Sequence, residues 1–252
     1  MFTFPLKNKV MVITGGTNGI GRGLVDYFIE QEAKIATIGS RAETVEKLRA
    51  ELKKAEKIAS VYELDVRNVP LIEGVFSQII KEFGHIDILV NCAGRGHPVP
   101  AVEVTLEEWD SMVNLNLRGA FFCSQAAAKH MLARKYGRII NISSQLSLVA
   151  NQDEVVYCAS KGGMNQMTRA LAAEWGKDGV IVSAVAPTFT YTPGTAERLD
   201  MPSFRDAVLA RIPRGRLGTI DDIAQAVHYL ASDAGDIANG TILVIDGGWT
   251  IV

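Results

Sequence analysis

The chain has 252 residues, of which 26 are basic and 28 acidic, and its formal net charge is −2. This balance gives no electrostatic reason to expect nucleic acid or an anionic membrane surface as a partner, so we expect a small-molecule ligand. A hydrophobic fraction of 48% and a charged fraction of 21%, with no low-complexity linker, are typical of an ordinary globular protein and predict one domain over residues 1–252.

The N-terminal stretch MFTFPLKNK lacks an apolar core of signal-peptide length, and no run of eighteen apolar residues follows it. These features predict a cytoplasmic protein without a membrane partner. Cys92, Cys123 and Cys158 are far apart and lack the spacing of metal ligands. We therefore expect small buried thiols and no metal site.

Short apolar, β-branched runs recur along the chain and predict buried strands. They are VMVIT from Val10, KIATI from Lys34, SVYEL from Ser60, DILV from Asp87, RIINI from Arg138, VIVSAV from Val180 and TILVI from Thr241. Helical periodicity predicts helices over 19–31, 42–54, 69–82, 117–134, 155–175 and 221–231. The alternation predicts an α/β fold, a doubly wound parallel sheet of seven strands with helices on both faces and ligands at the carboxyl ends of the strands.

The segment TGGTNGIG, residues 14–21, follows the first strand and opens the first helix. Gly15, Gly19 and Gly21 would allow a tight turn, close approach of the backbone to a pyrophosphate, and tight packing of the helix on the strand. A glycine-rich connection without a ligand is the alternative. The preceding strand and the following helix favour nucleotide binding.

The second strand ends in GSR, where an acidic residue would favour the free 2′-hydroxyl of NAD. Ser40 and Arg41 offer a hydroxyl and a guanidinium, which suit the 2′-phosphate of NADP. The alternative is a solvated arginine in the first turn of a helix. We expect NADP to be preferred to NAD.

Polar residues follow several later strands. They occur in LDV at Asp65, NCAG from Asn91, NLNLRG around Asn116 and NISS ending at Ser144. Each of these residues taken alone is better explained as a turn former or a helix cap.

The segment YCASKGG places Lys161 four residues after Tyr157. On a helix this spacing brings both side chains to one face. A phenol titrates near 10, and an ammonium about 4 Å away would favour the phenolate by up to about 4 kcal/mol, or roughly 3 pK units, at an effective dielectric near 20. The pair therefore predicts a tyrosine that can exchange a proton near neutral pH.

Taken in order, TGGTNGIG, NCAG, NLRGAFF, NISS, YCASK, GRLGTIDDIAQAVHYLASD and DGGW resemble the short-chain dehydrogenase/reductase family over nearly the whole chain. The resemblance implies a Rossmann fold and an NAD(P)-dependent oxidoreductase that interconverts a ketone and a secondary alcohol. It also implies a homotetramer built partly through the helices that contain Asn116 and Tyr157.

The resemblance implies a catalytic tetrad of Asn116, Ser144, Tyr157 and Lys161. Tyr157 would exchange a proton with the substrate oxygen while a hydride moves to or from the nicotinamide, and Ser144 would hold that oxygen. Lys161 would lower the pKa of the tyrosine and bind the nicotinamide ribose, and Asn116 would position the lysine through water.

By the same resemblance, Asp65 would meet the adenine, Gly94 and Asn91 would line the cofactor, and Thr192 would hold the carboxamide. The full set of expected cofactor contacts is Gly15, Thr17, Asn18, Gly19, Ile20, Gly21, Ser40, Arg41, Asp65, Val66, Asn91, Ala93, Gly94, Tyr157, Lys161, Pro187, Thr188, Thr190 and Thr192. Thr188 stands where many relatives have glycine, so we expect the loop after Pro187 to have lost a glycine-specific conformation.

The loops after Gly94, Ser144 and Pro187 should form the substrate pocket. The expected substrate contacts are Ser144, Gln145, Arg95 and Tyr191, and His97 and Glu154 are further polar candidates, with ordinary surface polarity as the alternative for each. VLARIPRGRLG and Trp249 resemble stretches of sugar-acid dehydrogenases in this family, which favours a sugar acid, a polyol or a similar hydroxy-ketone.

Two other functions stay open. One is reduction of a 3-oxoacyl group on acyl carrier protein, which needs a basic docking surface. Lys135 would contribute to that surface, but Ala173 stands where such reductases commonly have a basic residue. The other is a dinucleotide-binding regulator without turnover, against which the retention of all four tetrad residues argues.

Overall fold

The computed structural model describes residues 5–54 and 58–252, so the first four residues of the N-terminal stretch lie outside the described residues. Seven strands form one sheet within them. They are β1 (Val10–Thr14), β2 (Lys34–Gly39), β3 (Ala59–Glu63), β4 (Ile88–Asn91), β5 (Gly137–Ile142), β6 (Val180–Pro187) and β7 (Ile242–Ile245).

The strand order is β3-β2-β1-β4-β5-β6-β7, and every neighbouring pair is parallel. The order reverses at β1, where Thr14 is in register with Ile38 of β2 on one side and with Asn91 of β4 on the other. In an open parallel sheet, ligands bind outside the carboxyl ends of the strands at such a reversal. The predicted fold class is confirmed.

Helices cover both faces of the sheet. They are α1 (Gly19–Glu30), α2 (Ala42–Lys54), α3 (Val69–Phe83), α4 (Leu106–Val113), α5 (Gly119–Arg134), α6 (Val155–Trp175), α7 (Pro193–Leu199), α8 (Pro202–Ala210) and α9 (Ile220–Ala231). Met11 and Ile13 of β1 pack in the cluster that contains α1 and α9, whereas Val12 packs in the cluster that contains α3, α5 and α6. Because side chains alternate along a strand, burial on both faces gives the continuous apolar runs from which the strands were predicted.

The helix predicted over 117–134 begins earlier than expected. A π-helical turn, Asn114–Arg118, joins α4 to α5, so the helical segment starts at Leu106. Thr105 begins it with a capping box, in which the Thr105 hydroxyl accepts from the Glu108 amide and the Glu108 carboxylate accepts from the Thr105 amide. The Thr-x-x-Glu spacing was the signal for this start.

Helices α7 and α8 were not predicted. The first turn of α7 contains Pro193 and Gly194, residues that indicate a turn in a sequence, although proline is also compatible with the first position of a helix. Leu199, Val208 and Trp249 join the two helices to the C-terminal segment in a small apolar cluster. No helix in the described part of the chain has the length and hydropathy that a membrane span requires.

Candidate active site

A cleft of about 800 Å³ lies along the carboxyl ends of the strands. It is lined by every expected cofactor, substrate and catalytic residue except Asn91, Asn116 and Tyr191. Among the residues that the structure describes, no group of three or more histidine, cysteine or acidic side chains is arranged to hold a metal ion.

The glycine-rich loop closes one end of the cleft. Gly15 has a φ of +73°, and a Cβ added there would lie 2.8 Å from the Cα of Ala93. A Cβ added to Gly21 would lie 2.3 Å from the carbonyl oxygen of Gly15, so the start of α1 packs directly on the turn after β1. The Asn18 side chain accepts from the Gly19 amide at 2.8 Å and caps α1. The N-terminus of a helix favours an anion, and the loop therefore fits a pyrophosphate.

The ends of β2 and β3 supply the next part of the cleft. Ser40 and Arg41 follow β2, line the cleft and are exposed. Asp65 is held in an ion pair by Arg67, with 2.6 Å between carboxylate and guanidinium, and hydrogen bonding from Arg67 lowers the pKa of Asp65. Arg67 also lines the cleft and was not among the expected contacts. The contact of Asp65 with adenine stays a prediction.

Asn91 does not line the cleft, which corrects its expected role. Its side-chain amide donates to Ser124 Oγ and to Asn141 Oδ1 at 2.8 Å each, and the residue is buried. Because side chains alternate along β4, residue 91 points toward α5. The turn after β4 is instead held by Thr14, whose hydroxyl oxygen accepts from the amides of Cys92 and Ala93.

Asn116 lies in the π-helical turn and is fully buried behind the cleft. Its Oδ1 accepts from the Arg95 amide, and its Nδ2 donates to the Arg95 carbonyl and to Ser160 Oγ. A Cβ added to Gly94 would lie 3.2 Å from Asn116 Oδ1 and 3.4 Å from Lys161 Nζ. Asn116 therefore clamps the loop after β4 beside the lysine, and its role in a water relay stays a prediction.

Ser144, Tyr157 and Lys161 meet in the cleft. Ser144 follows β5, and the other two lie on one face of the first turns of α6. Lys161 Nζ donates to the Ile142 carbonyl at 2.7 Å and lies 5.8 Å from the centroid of the Tyr157 ring. The i, i+4 spacing therefore places the Tyr157 and Lys161 side chains on the same face of α6, as the sequence predicted.

The pKa of Tyr157 is shifted opposite to our expectation. Burial raises it to about 12, although the hydrogen bond from Ser144 lowers it, and the negative charge of Glu154 raises it further. Burial also lowers the pKa of Lys161 to about 8. Loss of solvation is the largest cause and makes the net shift upward, and the expected lowering of the tyrosine pKa by Lys161 stays a prediction.

The loop after β6 accommodates Thr188 without backbone strain and has no glycine-specific conformation at this residue, as the sequence predicted. Thr188 does not have a positive φ, and its amide donates to the Ile245 carbonyl at 3.1 Å. Its Oγ1 is buried against the cleft with no hydrogen-bond partner among the described residues. This hydroxyl can donate to or accept from a ligand in the cleft.

Tyr191 lies outside the cleft, which corrects its expected contact with substrate. It is 48% exposed, and its hydroxyl donates to Asp200 Oδ1 at 2.9 Å. Its neighbours Thr190 and Thr192 both line the cleft, so the side chain between them points outward.

Arg95, Gln145 and Glu154 line the end of the cleft beside Tyr157. Gln145 is buried, and its Oε1 has no hydrogen-bond partner among the described residues. The Arg95 guanidinium donates to Ser111 Oγ at 2.6 Å.

Glu154 is buried and accepts from Arg198 Nη1 at 3.3 Å. Burial raises its pKa, and Arg198 partly opposes this shift. Sequence reasoning missed Arg198 because it lies on α7. It also missed the apolar wall made by Phe189, Leu199 and Phe204, two of which lie on the unpredicted helices.

Comparison with protein families and characterised proteins gives a consistent result. Residues 15–250 match a family model described as enoyl-(acyl carrier protein) reductase. The chain is 40% identical over 250 residues to the D-threitol dehydrogenase of Mycolicibacterium smegmatis, covering 99% of this chain and 96% of that protein. It is 38% identical over 250 residues to the 2-dehydro-3-deoxy-D-gluconate 5-dehydrogenase of Escherichia coli, covering 98% and 97%.

Solved structures share the fold over the same length. A gluconate 5-dehydrogenase from Burkholderia cenocepacia, in complex with NADP and tartrate, is 32% identical to the chain with a TM-score of 0.94. The superposition covers 99% of this chain and 98% of that chain.

Proposed function

The chain belongs to the short-chain dehydrogenase/reductase family, and from this premise we propose that it is an NADP(H)-preferring oxidoreductase of small polyhydroxylated substrates. It is an NAD(P)-dependent dehydrogenase that acts on CH–OH and C=O groups. The substrate that we propose is a sugar acid, a polyol or another small hydroxy-ketone.

One observation carries the proposal. Ser144, Tyr157 and Lys161 meet in the same cleft as the glycine-rich loop, which fits a pyrophosphate at the other end. A binding site alone has no need of a proton donor, a hydroxyl and an ammonium beside its ligand. The combination supports proton transfer coupled to redox chemistry on a bound dinucleotide.

Tyr157 is the proposed proton donor during carbonyl reduction. With a pKa of about 12 it is protonated at neutral pH, and its O–H bond breaks as the substrate oxygen takes the proton. Ser144 donates a hydrogen bond to the same oxygen. The hydride that joins the carbonyl carbon is the chemistry that the nicotinamide supplies. In alcohol oxidation the phenolate takes the hydroxyl proton.

Lys161 is the proposed electrostatic partner of the phenolate that remains after proton transfer. Its ammonium lies on the same helical face as the tyrosine, and it would also hold the nicotinamide ribose. The buried side chain of Asn116 lies beside Lys161, and we propose that it positions the lysine.

The preference for NADP is proposed from the adenosine end of the cleft. Ser40 and Arg41 follow β2, and Arg67 adds a second guanidinium close by. A guanidinium can donate two parallel hydrogen bonds to two oxygens of one phosphate, which suits a 2′-phosphate. Asp65 is already paired with Arg67, so its carboxylate offers less to a free ribose hydroxyl. The solved gluconate 5-dehydrogenase in complex with NADP supports this preference.

The substrate class is proposed from the relatives, which are named for threitol, 2-dehydro-3-deoxy-D-gluconate and gluconate. The polar groups of Arg95, Gln145 and Glu154 at the cleft end are consistent with a substrate rich in hydroxyls. We also propose, on the family resemblance alone, that residues 1–252 form one oxidoreductase domain and that the protein is a homotetramer.

The experiment is NADPH oxidation across ketoses, keto-acids and 3-oxoacyl thioesters, with Tyr157→Phe as the variant. Loss of the phenolic proton should lower turnover about 100-fold or more, because general acid catalysis typically contributes that much. NADPH affinity should stay within a few-fold of the wild-type value. Tyr191→Phe is the matched control, since that hydroxyl lies outside the cleft and its loss should leave turnover unchanged.

Each result decides between functions. Turnover of keto-sugars supports the proposal, and turnover of thioesters alone would point to acyl carrier protein as the partner. If no substrate of the panel is turned over while NADPH still binds, the remaining function is that of a dinucleotide-binding regulator. Full activity in Tyr157→Phe would remove this tyrosine from the mechanism.

A further inference from the structure

Glu154 is a buried carboxylate that the proposed reaction does not use. It is 5% exposed and lies three residues before Tyr157, at the residue that precedes α6. An acidic side chain at this position commonly caps the helix, but the Glu154 carboxylate makes no capping hydrogen bond. It lines the cleft instead. Burying a carboxylate is costly, so the groups around it indicate what it is for.

Only part of the carboxylate is satisfied by the protein. Oε1 accepts from Arg198 Nη1 at 3.3 Å, and the Arg198 guanidinium is stacked 4.3 Å from the centroid of the Phe204 ring. The other oxygen, Oε2, accepts no hydrogen bond from the residues that the structure describes and is open to the cleft. An ionised carboxylate accepts hydrogen bonds and donates none, so a ligand group that bonds Oε2 must be a donor.

We propose that Glu154 determines specificity by accepting hydrogen bonds from substrate hydroxyls, and that the substrates are neutral polyols and their ketoses rather than sugar acids. This inference rests on the proposed function and narrows its substrate class. A hydroxyl bonded to a carboxylate forms a charge-assisted hydrogen bond, which is stronger than a bond between neutral groups. A substrate that lacks the hydroxyl does not form this bond and is bound less tightly.

The charges at this end of the cleft argue against a sugar acid. Arg198 is the cation nearest to Glu154, and it is already engaged by the carboxylate and by Phe204. A substrate carboxylate placed here would meet a like charge in a poorly solvated site and would have to compete for that guanidinium. Arg95 is the other guanidinium at this end of the cleft, and it donates to Ser111 Oγ rather than to Glu154. The Glu154–Arg198 pair leaves Oε2 facing the cleft, where it accepts from a hydroxyl and repels a substrate carboxylate.

The test compares substrates that differ only in a terminal CH2OH or carboxylate. The NADP-loaded enzyme is assayed with threitol against threonate and with glucitol against gluconate. We expect the wild-type kcat/KM to favour the neutral member of each turned-over pair by at least about 10-fold. Glu154→Gln should raise KM for the polyol about 10-fold or more and change kcat less. The ratio of kcat/KM for the neutral substrate to kcat/KM for the acid should shift at least 10-fold toward the acid.

Asp153→Asn is the matched control. This neighbouring carboxylate is exposed, and its φ of 61° is a conformation that asparagine tolerates well. The substitution removes the same charge one residue away and should leave the ratio unchanged. Glu154→Asp, which withdraws the carboxylate by one methylene, should give an intermediate loss and serves if the glutamine variant does not fold.

Two results would overturn the inference while leaving the proposed function intact. One is a wild-type preference for the acids, and the other is a neutral-to-acid ratio that Glu154→Gln and Glu154→Asp leave unchanged. Silence of the wild-type enzyme with both polyols and acids, and with the corresponding ketoses, would reject the proposed function and the inference with it.

Discussion

Lys161 is an ammonium held where water is scarce. Its Nζ bonds a backbone carbonyl and lies 5.8 Å from the centroid of the Tyr157 ring, and burial lowers its pKa from 10.5 to about 8. The folded protein therefore binds a proton on Lys161 less readily than the unfolded chain does. Between pH 8 and 10.5 the unfolded chain holds the extra proton, and stability rises with pH across that window.

Replacing Lys161 by methionine should remove this dependence. The free energy of unfolding of Lys161→Met should exceed that of the wild type at pH 7. Because only the wild type gains stability as the pH rises, the difference between the two free energies of unfolding should narrow by about 1 kcal/mol from pH 8 to 9. Urea unfolding at pH 7, 8 and 9 measures it. Lys47→Met, at an exposed position of α2, should follow the wild-type profile. Parallel profiles for wild type and Lys161→Met would contradict a buried, weakly basic lysine.

The sequence could predict where the catalytic side chains lie but not their protonation. The spacing of Tyr157 and Lys161 gave their common helical face, because helix geometry is local. The pKa of each is set mainly by burial, which depends on how distant segments pack over the site. Asn91 and Tyr191 were misplaced for a related reason. Asn91 was assigned to the cleft by its motif and Tyr191 by its place in the loop after Pro187, and neither assignment gives the direction in which the side chain points.

At the scale of the element, the start of α1 depends on a close approach of two backbone segments. Gly21→Ala would place its Cβ 2.3 Å from the Gly15 carbonyl oxygen, and a backbone atom cannot move away as a side chain can. Overpacking of this kind costs about 1–3 kcal/mol. We expect urea unfolding to show that loss and NADPH titration to show weaker binding, since the displaced loop is the one that fits the pyrophosphate.

Gly74→Ala is the matched control for that substitution. Gly74 lies in α3 and is exposed, and an added Cβ would meet nothing within 4 Å. Alanine there should raise the free energy of unfolding by about 0.5–1 kcal/mol and leave NADPH binding unchanged. An equal response of the two glycines would show that close packing at Gly21 does not matter.

The elements that the sequence missed were those whose signals compete. The start of α4 carries a capping box at Thr105, but its few buried positions give little periodicity. The first turn of α7 contains proline and glycine, so its composition favours a turn, whereas a capping box at Thr192 and packing around Leu199 and Trp249 hold it as a helix. Arg198 was lost with α7. The strands were predicted well because burial on both faces leaves an unbroken apolar run.

At the scale of the whole molecule, the cleft draws its lining from the ends of β1 to β6. Thr17 follows β1, Arg41 follows β2, Gly94 follows β4, and Thr188 follows β6. These strands lie on both sides of the reversal in strand order, so a ligand that spans the cleft connects the two halves of the sheet. A bound ligand should therefore stabilise the whole sheet against unfolding.

Cofactor preference should consequently be visible as a difference in thermal stability. At 100 times its Kd, a ligand that binds only the folded state adds about 2.7 kcal/mol, which for a chain of this length raises Tm by about 5–10 °C. NADPH should give the larger shift and NADH at the same concentration a smaller one. Arg41→Asp should reverse the order, because a carboxylate repels the 2′-phosphate and accepts from a free 2′-hydroxyl.

Lys53→Asp makes the same charge change at an exposed position near the other end of α2 and should keep the wild-type order. An NADPH shift that Arg41→Asp leaves intact would place recognition of the 2′-phosphate elsewhere in the cleft, with Arg67 as the next residue to replace.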